Sequence, residues 1–280
     1  MKITLEKGLD IYYESAGSGS TTLLFIHGLG TTGKSWQRVM PPLAEHFTCI
    51  APDLPGYGKS TKSDFPFTID FFKNSLLLLI EKLGLDQIVL VGHSMGGQIA
   101  ASMVLENPDV FKGLILMAPA GFETFTREGG DLIKQWYTPE ILSDLSPEQV
   151  RRNFEANFSN TPPELESMIA ERLSMMQSDE YSHFSRMIPK CVQGMLDQPV
   201  FEDYKNIHLP VLTFFGLEDK LIPSPLLRRK LNTREIAEKG IAQFPKGQLK
   251  LIPNCGHFIP LDCPMATIQP SINFIKNIRD

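Results

Sequence analysis

Four short stretches in the first 120 residues are apolar without alternation: TTLLFIH (21–27), FTCIAP (47–52), QIVLVGH (87–93) and FKGLILMAP (111–119). A strand covered on both faces reads this way, so these runs predict parallel strands inside a sheet flanked by helices. Between them the spacing predicts helices over Trp36 to Glu45, Ile69 to Leu83 and Met95 to Glu106, the last stopped by Asn107-Pro108. The N-terminal MKITLEKGLDIYYE alternates instead, as strands with one wet face do. The strand grammar lapses from about Phe122 to Ile207, where Ser146-Pro147-x-Gln149 and Thr161-Pro162-Pro163-Glu164 each resemble a capping box opening a helix. The second such helix runs through ELESMIAERLSMM. Strands resume with LPVLTFFG and QLKLIP, and a helix near Met265 to Ile278 closes the chain. The order of elements predicts an α/β fold with a doubly wound, mostly parallel sheet and an all-helical insertion.

Composition adds little to this picture and removes several partners from it. The chain has 280 residues, 42% hydrophobic and 21% charged, which suits a globular domain with one insertion. Its net charge of -5 offers no basic footprint for phosphate, so nucleic acid is not an expected partner. No apolar stretch approaches the roughly 20 residues of a membrane span, and LLLLI at 76–80 is much too short. With no signal-peptide pattern at the N-terminus, a cytoplasmic setting is expected. Cys49, Cys191, Cys255 and Cys263 are irregularly spaced; free thiols are expected there, and no metal site, although Cys255 and Cys263 flank His257. Arg228-Arg229-Lys230 reads as a solvated helix face.

Two nucleotide-binding strings overlap in HGLGTTGKSW. Gly28-x-x-x-x-Gly33-Lys34-Ser35 spells a P-loop and Gly28-x-Gly30-x-x-Gly33 a dinucleotide fingerprint, with Asp53 at the position of a ribose-binding acid. A P-loop also needs an acid for Mg²⁺ on a partner strand, and Asp53 can fill one role only. A stronger signal lies in IVLVGHSMGGQIA, where Gly92-x-Ser94-x-Gly96 falls between an apolar strand and a helix. A serine on so sharp a turn needs small flanking residues, and the turn exposes its hydroxyl at a helix N-terminus beside the Met95 N–H. Such a serine needs a base, itself oriented by an acid. Asp219 follows VLTFFG and His257 follows QLKLIP, giving the chain order Ser, Asp, His; Glu218 is a local competitor for the acid and Glu123 a fallback. A nucleotide reading leaves all three unexplained, so no nucleotide and no cofactor is expected.

These residues resemble the α/β-hydrolase fold superfamily, in its serine esterase and lipase-like branch with a helical cap. In that family a strand ending in His-Gly precedes a Trp-bearing helix, a strand and D-x-x-G-x-G-x-S. Here those are His27-Gly28, Trp36 and Asp53-Leu-Pro-Gly56-Tyr-Gly58-Lys-Ser60. The resemblance implies a hydrolase core over 1–121 and 208–280 with a cap over 122–207. It also implies a Ser94–His257–Asp219 triad, with the Leu29 and Met95 N–H groups as oxyanion donors. One departure is a long stretch between Asp219 and His257, where LNTREIAEKGIAQF is expected to form an extra helix. Lys34 and Ser35 are then expected to face solvent.

Ser94 sets the chain apart from similar dehalogenases and epoxide hydrolases, which use an aspartate nucleophile. The expected reaction is cleavage of a small-molecule ester. Alternatives are hydrolysis of a carbon–carbon bond in a ring-fission diketone, or a receptor that keeps the pocket. Enzymes of the former kind carry a cap arginine and a Trp after the histidine, where this chain has Phe258. Candidate pocket residues are Phe122, Phe125, Trp136, Tyr137, Phe154, Phe158, Met175, Met176 and Phe258, though such residues at helical spacing also build cores.

Overall fold

The computed structural model describes residues 1–227 and 231–279, so the Arg228-Arg229-Lys230 run lies outside the described residues. Eight strands form one sheet: β1 (Lys2–Glu6), β2 (Leu9–Ala16), β3 (Thr22–Ile26), β4 (Thr48–Pro52), β5 (Ile88–His93), β6 (Phe111–Met117), β7 (Val211–Gly216) and β8 (Gly247–Ile252). Their spatial order is β1-β2-β4-β3-β5-β6-β7-β8. β2 runs antiparallel to β1 and β4, and every other pairing is parallel. β3, β5 and β7 are buried along their whole length, as their unbroken apolar runs require.

The helices are α1 (Met40–Ala44), α2 (Ile69–Leu83), α3 (Met95–Glu106), α4 (Arg127–Trp136), α5 (Pro139–Ser143), α6 (Pro147–Glu155), α7 (Leu165–Met176), α8 (Glu180–Asp197), α9 (Thr233–Ile241), α10 (Ile259–Asp262) and α11 (Met265–Arg279). α2 has the predicted bounds. Thr68 Oγ1 accepts from Phe71 N at its start and Gly84, at φ 61°, ends it. Its Phe72, Leu76 and Leu79 are at most 2% exposed, and each such side chain contributes about 2 kcal/mol of burial. α4 to α8 lie between β6 and β7, where the insertion was expected. α9 supplies the extra helix, opened by an Asn232–Glu235 capping box. No described helix is long and apolar enough to cross a membrane.

Two helix starts differ from the sequence reading. Trp36 to Glu45 is not one helix: Gly33–Trp36 is a 3₁₀ turn and α1 begins at Met40. Pro41 and Pro42 have no N–H to donate, so they fit only the first turn of a helix. The Ser146–Gln149 box opens α6 as predicted, but Thr161 caps nothing and α7 begins after Glu164. Pro163 disfavours the helical region for Pro162, which delays the start. Ser35 also departs from expectation: it is 4% exposed, and its hydroxyl donates to the Thr32 carbonyl at 2.7 Å.

Candidate active site

Ser94 sits where β5 turns into α3, at φ 51° and ψ -119°. This is a strained conformation for a residue with a Cβ. The turn closes so tightly that an added Cβ on Gly92 would lie 2.5 Å from the Gly96 carbonyl oxygen, and one on Gly96 would lie 2.1 Å from that of Ile26. Both positions therefore require glycine, and the serine stands clear at the sheet's carboxyl edge. Ala100 and Ala101, both fully buried, let α3 lie against the sheet.

The loops after β7 and β8 bring two more predicted residues to this serine. Ser94 Oγ lies 3.1 Å from His257 Nε2, and His257 Nδ1 lies 2.8 Å from Asp219 Oδ2. A carboxylate only accepts, so Nδ1 carries the proton and Nε2 accepts from the serine hydroxyl. The other Asp219 oxygen accepts from the Leu221 and Ile222 N–H groups at 2.8 and 2.9 Å, which fixes the carboxylate plane. Asp219 is 7% exposed and His257 5%. The competing acids are elsewhere: Glu218 is exposed, and Glu123 Oε2 accepts from Ser224 N at 2.8 Å.

The glycine loop after β3 reaches the same point. A Cβ on Gly28 would lie 3.2 Å from Ser94 Cβ, so the loop's backbone runs beside the serine. Among the described residues, neither the Leu29 nor the Met95 N–H donates a backbone hydrogen bond; Leu29 lies in the turn after β3, and Met95, as the first residue of α3, has no intrahelical acceptor. His27 braces the loop: its Nδ1–H donates to the Gly28 carbonyl at 2.9 Å and its Nε2 accepts from Leu54 N at 3.0 Å.

The residues of the nucleotide strings are spent on structure. Asp53 accepts from Gly33 N and Lys59 N, both at 2.8 Å, and Gly58 at φ 50° gives the carboxylate room. Lys34 Nζ pairs with Glu171 of α7 at 2.8 Å on the surface. Near His257, the donor atoms of Cys255, Asp262 and Cys263 lie within 4.8 Å of one another. Both Asp262 oxygens already accept backbone N–H bonds, and burial raises both thiols, so the trio fits a metal poorly.

His93, next to Ser94, has a structural place. It is 3% exposed, and its Nε2–H donates to the His257 carbonyl at 3.0 Å. Burial, then the neighbouring His257, lowers its pKa to about 3, so it stays neutral.

The candidate pocket residues scatter. Phe122, 1% exposed, is enclosed by Tyr204, Phe215 and Phe244, and Phe258, 2% exposed, is stacked between His93 and Phe158. Neither ring has surface to offer a ligand, which corrects both from pocket lining to packing. Phe125 and Tyr137 are half-buried, and Trp136 is 55% exposed.

Phe154 instead marks a residue the sequence reading passed over. Arg172 of α7 lies over the rings of Phe184 and Phe154, at 3.9 and 5.6 Å, and donates to the Gly30 carbonyl at 2.7 Å. Burial pulls its pKa down to about 10, so it remains charged, and the groups acting on that charge are the Tyr181 and Tyr57 hydroxyls rather than a carboxylate. Nothing in ELESMIAERLSMM distinguishes this arginine from a solvated one.

A family model described as alpha/beta hydrolase fold matches residues 21–264. The chain is similar to an uncharacterized hydrolase, YugF, of Bacillus subtilis, at 29% identity over 96% of this chain and 95% of the relative. It is also similar to the 2-hydroxy-6-oxo-6-(2'-aminophenyl)hexa-2,4-dienoic acid hydrolase of Metapseudomonas resinovorans, at 25% identity over 98% of this chain and 90% of that one. Among solved structures, the esterase EaEST from Exiguobacterium antarcticum superposes with a TM-score of 0.81 at 22% identity, covering 98% of each chain. That likeness speaks to the fold.

Proposed function

We propose that the chain, which belongs to the alpha/beta hydrolase fold family, is a serine hydrolase of small-molecule carboxylic esters. The observation that carries this reading is the bonded series Ser94 Oγ, His257 Nε2, His257 Nδ1, Asp219 Oδ2, at 3.1 and 2.8 Å. His257 Nε2 takes the hydroxyl proton as Oγ attacks the ester carbonyl carbon. Asp219 holds the imidazole's tautomer and stabilises the imidazolium that forms. The oxyanion is held by the Leu29 and Met95 N–H groups, and one such donor is worth about 10²–10³ in turnover. The imidazolium then protonates the leaving alkoxide, and water, deprotonated by the same histidine, releases the acid and restores Ser94. Nucleophile, base and electrostatic stabilisation all come from the chain, so this chemistry calls for no cofactor. Residues 122–207 act as a cap over the site.

One observation favours a second reading, hydrolysis of a carbon–carbon bond in a ring-fission diketone acid. Arg172 is a half-buried cation beside the oxyanion loop with no carboxylate partner among the described residues, and a buried charge calls for an opposite one. A substrate carboxylate would supply it. Phe258 stands where enzymes of that kind carry Trp, and it is packed away. Turnover of p-nitrophenyl esters of graded chain length, measured beside a 2-hydroxy-6-oxohexa-2,4-dienoate, tests both. The ester reading expects esters to be cleaved with the higher kcat/KM; cleavage of the diketone alone overturns it.

A further inference from the structure

The loop carrying His257 is held from the inserted helices as well as from the sheet. One carboxylate, that of Asp262 at the end of α10, accepts four N–H donors. Its Oδ2 takes Gly256 N at 2.6 Å and Ser159 N at 2.8 Å, and its Oδ1 takes Asn160 N at 3.0 Å and Asn160 Nδ2 at 3.1 Å. Gly256 immediately precedes His257, whereas Ser159 and Asn160 lie in the link between α6 and α7. On the other side of His257, Phe258 N donates to the Asn157 carbonyl of the same link at 2.9 Å. The two segments approach so closely that a Cβ on Gly256 would lie 2.6 Å from Asn157 O.

Rings continue this junction inward. Phe158 of the link stacks on Phe258 at 5.5 Å, and Phe258 stacks on His93 at 5.0 Å, beside Ser94. The peptide N–H groups on both sides of His257 thus end on Asp262 or on the link, and its carbonyl accepts from His93 and from Ile259 N. We infer that Asp262 is a positioning residue that docks the α6–α7 link onto the histidine loop, so that placement of the base depends on the inserted helices being seated. This rests on the reading of His257 as the base. The insertion then shapes chemistry at Ser94 as well as access to it, because displacing a reacting group by about 1 Å can cost 10²-fold in rate.

The test uses the full chain with p-nitrophenyl acetate as substrate and a small fluorophosphonate to report Ser94 reactivity, both well below each variant's melting temperature. Asp262→Asn keeps the size but replaces one acceptor oxygen with an amide that donates. It is expected to lower kcat and the labelling rate by about 30-fold, with KM within about twofold. Asn160→Ala, on an exposed residue, removes only the side-chain bonds and is expected to lower both rates by about threefold, which keeps the test open if Asp262→Asn does not fold. In a His257→Ala background, Asp262→Asn should change the residual labelling rate by less than about twofold, because its route of action is gone. A lowered melting temperature with wild-type kcat and labelling rate in both variants overturns the inference, as does a full additional loss in the His257→Ala background. Wild-type kcat in Asp262→Asn alongside loss of turnover in His257→Ala overturns this inference alone; wild-type turnover in His257→Ala overturns the catalytic reading with it.

Discussion

Replacing His93 with glutamine should make the protein less sensitive to acid. The buried ring has a pKa of about 3 against an ordinary value of 6.5, burial being the main cause. A histidine held neutral in the fold is protonated on unfolding at any pH below 6.5, so the unfolded chain binds the extra proton and stability falls as pH falls. The loss runs through the window from 6.5 to about 3. At pH 7 the unfolded ring gains only about 0.2 kcal/mol from protonation, at pH 5 about 2 kcal/mol, and the folded ring almost none at either. The glutamine has no proton to take up, and its amide can still donate to the His257 carbonyl. Urea unfolding at pH 7 and pH 5 measures the difference. The wild-type protein should lose about 2 kcal/mol more than His93→Gln between the two, with m-values unchanged. Equal losses in the two proteins would refute the assignment of His93 as a ring kept neutral by burial.

Gly28→Val should abolish most turnover, because its Cβ would lie 2.9 Å from His93 Nδ1 and 3.2 Å from Ser94 Cβ, displacing the backbone that presents the Leu29 N–H; wild-type kcat would refute this. Lys34→Ala removes only an exposed ion pair with Glu171, so esterase turnover should stay within about twofold and stability within about 1 kcal/mol. Mg²⁺-dependent ATP binding by calorimetry that vanishes in Lys34→Ala would contradict it. Arg172→Met should leave the melting temperature unchanged or raise it, since it relieves a half-buried cation that lacks a carboxylate partner among the described residues. It should also lower kcat/KM at least tenfold for a substrate with a free carboxylate, while leaving p-nitrophenyl acetate within about threefold. Equal losses on both substrates would sink that role.

The core and the Ser94–His257–Asp219 cluster were legible because each rests on a local demand. β3, β5 and β7 are apolar on both faces because both are covered, and the elbow needs small residues two before and two after Ser94, so both leave signatures within a few residues. Chain order and the ends of β7 and β8 then pointed to Asp219 and His257. What failed depends on neighbours distant in sequence. Phe122 is an aromatic like any other until α9 closes over it, with Gly240 against its ring. Ser35 reads as polar and outward until its hydroxyl finds the Thr32 carbonyl. Arg172 and Asp262 act through backbone groups more than 100 residues away, at Gly30 and at Ser159 and Asn160, and nothing beside them in the chain announces it.

The central claim is that Ser94 is the nucleophile of an acyl-enzyme, and trapping that intermediate tests it most directly. The protein is mixed with a p-nitrophenyl ester, quenched in acid within the first turnover, digested and sequenced by mass spectrometry. The predicted result is an acyl group on the peptide containing Ser94, formed together with a burst of p-nitrophenol approaching one equivalent, with neither seen in Ser94→Ala. Ester turnover that persists in Ser94→Ala, or an acyl group carried by another residue, would contradict it.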